Sequence, residues 1–150
     1  MSPLPYENAT SGKKAIAEME KILRAFGASS FGNMEDFDRS DLIVQFTWRN
    51  RNVSIRASGI GYAAAWLKRN PWNNRMRKTQ REHEQLALAK GRVAVYSILR
   101  DWIKGQITAV ETGMLSFEGA FLGQIMLPSG ETVLERIEHE KLLAIAPPTH

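Results

Sequence analysis

The stretch LIVQFTWRNRNVSIRA, Leu42–Ala57, decides the fold. In its first half Leu42, Val44, Phe46 and Trp48 fall on one side, with Ile43, Gln45 and Thr47 on the other. A period of two marks a half-buried strand, because successive side chains of an extended chain point to opposite faces. RNRN, residues 49–52, reads as a four-residue turn. VSIRA answers as the return strand, with Val53, Ile55 and Ala57 inward and Ser54 and Arg56 outward. Strands joined by so short a connection are antiparallel, since a parallel pair needs a crossover of about a dozen residues or more.

Upstream, Ile16, Met19, Leu23 and Phe26 recur at three- and four-residue spacing. That spacing predicts a helix from Ser11, stopped at Gly27 by a left-handed cap. Residues 28–37 carry a weaker strand pattern, followed by the polar loop EDFDRSD. Downstream, YAAAWLKR predicts a short helix ending before Pro71, because the residue preceding a proline avoids the helical region. A long helix follows, its apolar stripe read as Leu86, Ala89, Val93, Tyr96, Leu99, Ile103, Ile107, Val110 and Met114. Gly91 and Gly105 each lower helix propensity by about 1 kcal/mol and mark positions for a kink or break. Ser116 caps a short helix around FEGAFLG, LPSGE is a turn, and Thr132 with Glu135 forms a capping-box pattern for a last helix through Leu143.

The expectation is an α+β fold: an N-terminal helix, a short antiparallel β-meander built on the hairpin 42–57, a long helix and C-terminal helices. Residues 1–150 read as a single domain, with an irregular arm at 1–10 and a tail at 146–150. The first residues lack the basic-then-apolar pattern of a secretory signal, and no apolar run approaches the ~18 residues of a membrane span. With no cysteine there is no disulfide, thiolate nucleophile or cysteine-ligated zinc. These features fit a reducing, cytoplasmic setting.

Net charge is +4, and its distribution matters more than its size. Residues 48–92 hold eleven Lys and Arg against Glu82 and Glu84, a net of +9, whereas residues 1–47 and 93–150 are −2 and −3. Such a field concentrates polyanions on one part of a molecule. At the centre lies WLKRNPWNNRMRKTQR, Trp66–Arg81, with six cations and no acid. Single-stranded nucleic acid presents spaced phosphates and exposed base faces, which cations and aromatic planes respectively match. The candidate nucleic-acid-binding residues are therefore Arg49, Arg51, Arg56, Lys68, Arg69, Trp72, Arg75, Arg77, Lys78 and Arg81. Trp66, after three alanines, and Trp48, in phase with the strand's apolar side, are expected in the core. Trp72 is the aromatic left to stack a base or pin the groove. No helix pairs this basic face with an exposed apolar one, which argues against membrane-surface binding.

Catalytic patterns are absent from the sequence. His83 and His139 each lie between glutamates on helices, where sequence neighbours point apart, and both are expected to be solvated. GIGY and SGKK share glycine and lysine with phosphate loops but not their spacing. No catalytic residue, metal ligand set or cofactor is assigned. The acidic cluster Glu35, Asp36, Asp38 and Asp41 is the one enzyme-like feature, of the kind that holds Mg²⁺ in a metal-dependent nuclease.

AEMEKILRAFGASSFGNMED, LIVQFTWRNRNVSIRA and SILRDWIKGQITAVETGMLSFEGAFLGQIMLPSGETVLERI resemble a group of small phage- and prophage-encoded proteins. The resemblance implies a phage origin and carries no activity with it. A meander followed by a basic segment and a long helix is also similar in plan to phage single-strand annealing proteins, which act as homo-oligomers with DNA in a basic groove. The expected function is thus a single-stranded DNA-binding protein of phage type, extending to strand annealing in recombination. The alternatives are an accessory protein that binds or inhibits a host protein and, third, the metal-dependent nuclease.

Overall fold

The computed structural model describes residues 2–144; the tail at 146–150 and His150 lie outside the described residues. Helix α1 (Gly12–Phe26) precedes strands β1 (Ser30–Asp36), β2 (Asp41–Trp48) and β3 (Arg51–Ser58). Helices α2 (Ile60–Arg69), α3 (Gln80–Glu111) and α4 (Phe117–Phe121), a 3₁₀ turn at Leu122–Gln124 and α5 (Val133–Glu140) complete the α+β fold. No helix among the described residues is long and apolar enough to cross a membrane.

The sheet is antiparallel in the order β1-β2-β3. The hairpin turn is shorter than expected, because Arg51 and Asn52 pair with Trp48 and Thr47 and leave only Arg49 and Asn50 in the loop. Both have positive φ, 47° and 63°, the backbone of a type I′ turn, whose twist matches that of the strands it joins. The Arg49 guanidinium, 4.4 Å above the Trp48 ring, offsets part of the cost of a left-handed non-glycine residue.

Leu42, Val44 and Phe46 point into the main core with Val53 and Ile55, against Met19 and Leu23 of α1 and Leu99 and Ile103 of α3. Trp48 is half-buried and stacks on Phe26 and Phe117, with ring centroids 4.9 and 4.5 Å away. Ile43 lies on the opposite face, as its phase requires, yet is buried beside its cross-strand neighbour Arg56. Helix α1 has the expected ends: the Ser11 hydroxyl accepts from the Lys14 N–H, and Gly27 is left-handed at φ 108°.

Helix α3 departs from expectation twice. It runs through Gly91 and Gly105 as a single α-helix of 32 residues. Gly91 is a crossing point: a Cβ on Gly59, at the start of α2, would lie 2.7 Å from the Gly91 carbonyl carbon. The buried face near the start of α3 is also different, formed by His83, Ala87, Gly91 and Ala94, while Leu86 and Ala89 are exposed and Val93 is half-buried. Two helix backbones this close admit only small side chains between them, so the larger apolar residues turn outward. Met114 lies beyond the helix and is exposed.

The arm is irregular, as expected, and docked. Tyr6 donates to Asp101 at 2.6 Å, the Pro5 carbonyl accepts from Tyr62 at 2.7 Å, and Glu7 accepts from the Trp66 indole at 2.7 Å. The arm therefore straps α2 to α3. At the other terminus Gly130 closes the 127–130 turn, and the Met126 N–H donates to Asn52, covering part of the β3 edge. Helix α5 carries the capping box between Thr132 and Glu135 but ends at Glu140, where Lys141 turns left-handed, short of the expected Leu143. Thr132→Ala is expected to cost α5 about 1 kcal/mol of local stability, measured by hydrogen exchange of its amides.

Candidate nucleic-acid interface

The candidate binding cations, Arg56 apart, divide between two ends of the molecule. Arg51 sits at the hairpin tip and pairs with Glu118 of α4 at 2.5 Å, beside the C-terminal turns of α3. Lys68 and Arg69 end α2, next to the start of α3, where Asn70 meets His83. Glu111 lies 28 residues after His83 along the helix, which at the rise of an α-helix is about 42 Å. The sequence run is thus no single patch in space.

Arg56 belongs to neither end. It lies on the outer face of the sheet, 2.8 Å from Asp41 and 3.4 Å from Asp36. The Arg39 N–H, with Arg56 and the Asp38 N–H, holds the Asp36 carboxyl below the usual carboxylate range. Two members of the acidic cluster are therefore occupied by a guanidinium and backbone amides. Among the described residues no group of three or more His, Asp or Glu is placed to hold a metal ion.

The other end is built around residues 70–79. Helix α2 stops at Asn70 ahead of Pro71, and α3 starts at the cap Thr79, whose hydroxyl accepts from Glu82. Between them the Trp72 indole N–H donates to the Lys78 carbonyl at 2.8 Å and closes a small loop. Inside it Asn73 accepts from the Arg75 N–H through its side chain and from Met76 through its backbone. Trp72 is half-buried and its one donor is used, so what it offers a ligand is the exposed part of its ring. Lys68, Arg69, Arg75, Arg77 and Arg81 are exposed and Lys78 is half-buried. None of these six forms an ion pair among the described residues, in contrast to Arg51 and Arg56.

Beneath this loop lies His83, which the sequence reading takes as solvated; the structure corrects it. His83 is only 2% exposed, and its ring is 5.0 Å from that of Trp66, itself buried as expected. Its Nε2 lies 2.5 Å from the Asn70 carbonyl, which can only accept, so Nε2 carries the proton. Nδ1 is then a buried acceptor with no partner among the described residues. His83 thereby ties the start of the loop to α3. The spacing His83, Ala87, Gly91 could have found it, since those residues share the face turned to α2. His139 is exposed, as expected.

Asp101 resembles Asp36 in its ionisation: Arg100, then Tyr6, hold its carboxyl below the usual range by hydrogen bonds. A carboxylate depressed on folding stabilises the protein above its unfolded pKa of about 4, and that contribution is lost as pH falls through the folded value. The urea midpoint is therefore expected to fall as pH drops below about 4, and Asp101→Asn to remove part of that fall in melts between pH 2.5 and 6.

Comparison with protein-family models, curated proteins and solved structures finds no match to this chain.

Proposed function

We propose that this chain binds single-stranded nucleic acid through its phosphates, at the end formed by the last turn of α2, residues 70–79 and the first turn of α3. The observation that carries the reading is the set of six cations there without an acidic partner among the described residues. Cations not already neutralised by protein carboxylates gain most from displacing the counterions of a polyanion. The loop that presents them is held by Trp72 on Lys78 and by His83 on Asn70, so part of its ordering cost is met before a ligand arrives. Asn74 adds a side chain for sugar or phosphate, and Trp72 adds ring surface to a base. Arg49, Arg51 and Arg56 lie outside this surface. Annealing of complementary strands follows from the same chemistry without bond making, because neutralised strands repel each other less. The similarity in plan to phage single-strand annealing proteins fits a role in recombination.

The test is salt-titrated binding, by fluorescence anisotropy, to a 30-nucleotide single strand, the matched duplex and the matched RNA. Six phosphate contacts predict a log–log slope near −4 on the single strand, at about −0.7 per contact. Equal affinity at low and moderate salt, or no binding, overturns the proposal.

A second reading, binding of a host protein or of further copies of this chain, is favoured by the open edge of the sheet. Among the described residues strand β1 is unpaired on its outer side, and Met34 and Phe37 beside it are 58% and 80% exposed. A pull-down from nuclease-treated host lysate, with size-exclusion chromatography of the pure protein, separates these partners from nucleic acid.

A further inference from the structure

We infer that the open edge of the sheet is a contact with a second copy of this chain, in which β1 pairs antiparallel with its own counterpart about a two-fold axis at Met34. This deepens the second reading above and rests on it: of the partners named there, it takes the second copy. The contact shares no residue with the surface at 70–79.

The two edges of the sheet differ. On β3 the chain covers part of its own edge, through the Val53–Ile125 bridge and the Met126 N–H on Asn52. No backbone hydrogen bond among the described residues reaches the outer side of β1. Its seven residues, Ser30–Asp36, include no proline, lysine or arginine, and they run against β2 without a bulge. Those are devices by which exposed edges avoid accepting another strand. An extended backbone is what such an edge takes, and the side chains then decide whose.

Pairing about a two-fold axis normal to the sheet keeps each side chain on its own face, so residues opposite each other must share one. Gly32 and Met34 lie on the outer face with Gln45 and Ile43, whereas Phe31, Asn33 and Glu35 lie on the core face with Phe46, Val44 and Leu42. A register centred on Glu35 would set two carboxylates against each other, and one centred on Asn33 would set Glu35 against Phe31. Centred on Met34, no acid stands opposite an acid. Met34 meets its counterpart, and Asp36 meets Gly32, where a Cβ would have nothing within 4 Å among the described residues. Glu35 meets Asn33, once on each side of the axis. Asn33 is exposed and Glu35 forms no ion pair among the described residues, so the amide of one copy can donate to the carboxylate of the other. Phe37, one residue past the strand, comes opposite Phe31. The two large apolar side chains that this edge leaves in water, Met34 at 58% and Phe37 at 80% exposure, thus gain apolar partners in one register. Such self-complementarity is what a two-fold contact between identical chains requires.

The experiment is sedimentation of the pure chain from roughly 1 μM to 1 mM, with single thiols introduced into a sequence that has no cysteine. The mass should double as concentration rises. Directly opposite Cα atoms of an antiparallel pair lie about 4.5–5.5 Å apart, within disulfide reach. Met34→Cys should therefore link to itself on mild oxidation. Gly32→Cys, about 13 Å from its counterpart in this register, should not. Met34→Lys sets two ammonium groups opposite each other and should weaken the dimer at least tenfold, with circular dichroism and melting temperature of the monomer unchanged. A chain that stays monomeric at the top of that range, a dimer that Met34→Lys leaves intact, or linkage through Gly32→Cys and not Met34→Cys overturns the inference. If the pure chain is monomeric while one host protein is retained from nuclease-treated lysate, the inference falls and the second reading stands on that protein. A monomeric chain that retains nothing removes both.

Discussion

Gly91→Ala is expected to lower the melting temperature by up to about 8 °C, while Gly105→Ala, in the same helix, raises it. By propensity alone both should stabilise, since alanine is favoured over glycine inside a helix by about 1 kcal/mol. The two positions differ in what a Cβ would meet. At Gly105 a Cβ would meet nothing within 4 Å among the described residues. At Gly91 the new methyl would collide with the backbone carbonyl oxygen of Gly59, and the amide nitrogen of Ala63 is 3.2 Å away. Neither obstacle is a flexible side-chain end, so α2 must move off α3. Overpacking of this kind costs about 1–3 kcal/mol, and about 2–4 °C accompanies each kcal/mol in a chain of this size. The displacement also pulls on the Trp66–Glu7 and His83–Asn70 contacts that hold the strap and the loop. Calorimetry of both variants is the check. Stabilisation by both would mean that the two helices do not cross at these glycines.

The same glycine shows where sequence reading reached its limit. Period-two and period-3.6 patterns are local, and they located the inward residues of the hairpin, the buried stripe of α1 and the caps at Ser11, Gly27 and Thr132. Helix α3 has two partners, α1 with the sheet along its later turns and α2 along its earlier ones. At the second partner backbone proximity, and not apolar area, selects the face. A hydrophobic stripe then extrapolates to Leu86 when the packed residue is His83. Charge misleads for a related reason. A running sum along the chain does not register that β3 carries it from the hairpin tip at Arg51 to Ser58, a distance of about 23 Å at the rise of a strand. Nor does it register that Arg51 and Arg56 meet carboxylates distant in sequence, Glu118, Asp36 and Asp41. The six cations from Lys68 to Arg81 escape that error because one short connection holds them together.

That division yields the second large effect. Replacing Lys68, Arg69, Arg75 and Arg77 together by glutamine should cut the log–log salt slope of single-strand binding from near −4 to about −1.4, whereas Arg49→Gln with Arg51→Gln should leave affinity within about twofold. With six contacts at about −0.7 each, raising salt from 50 to 200 mM weakens the native protein about 340-fold; with two contacts left, the loss is about 7-fold. All four replaced side chains are exposed and unpaired among the described residues, so the fold has little reason to respond. Arg56→Gln behaves differently again. It leaves Asp41, which is only 9% exposed, without its 2.8 Å partner, so its effect should fall on stability and not on affinity. If the hairpin pair proved as damaging as the loop four, the strand would have to contact both ends of α3. Binding would then follow the length of the molecule, and the minimum oligonucleotide would grow to match about 42 Å of helix. Anisotropy with strands of increasing length distinguishes a compact site from an extended track.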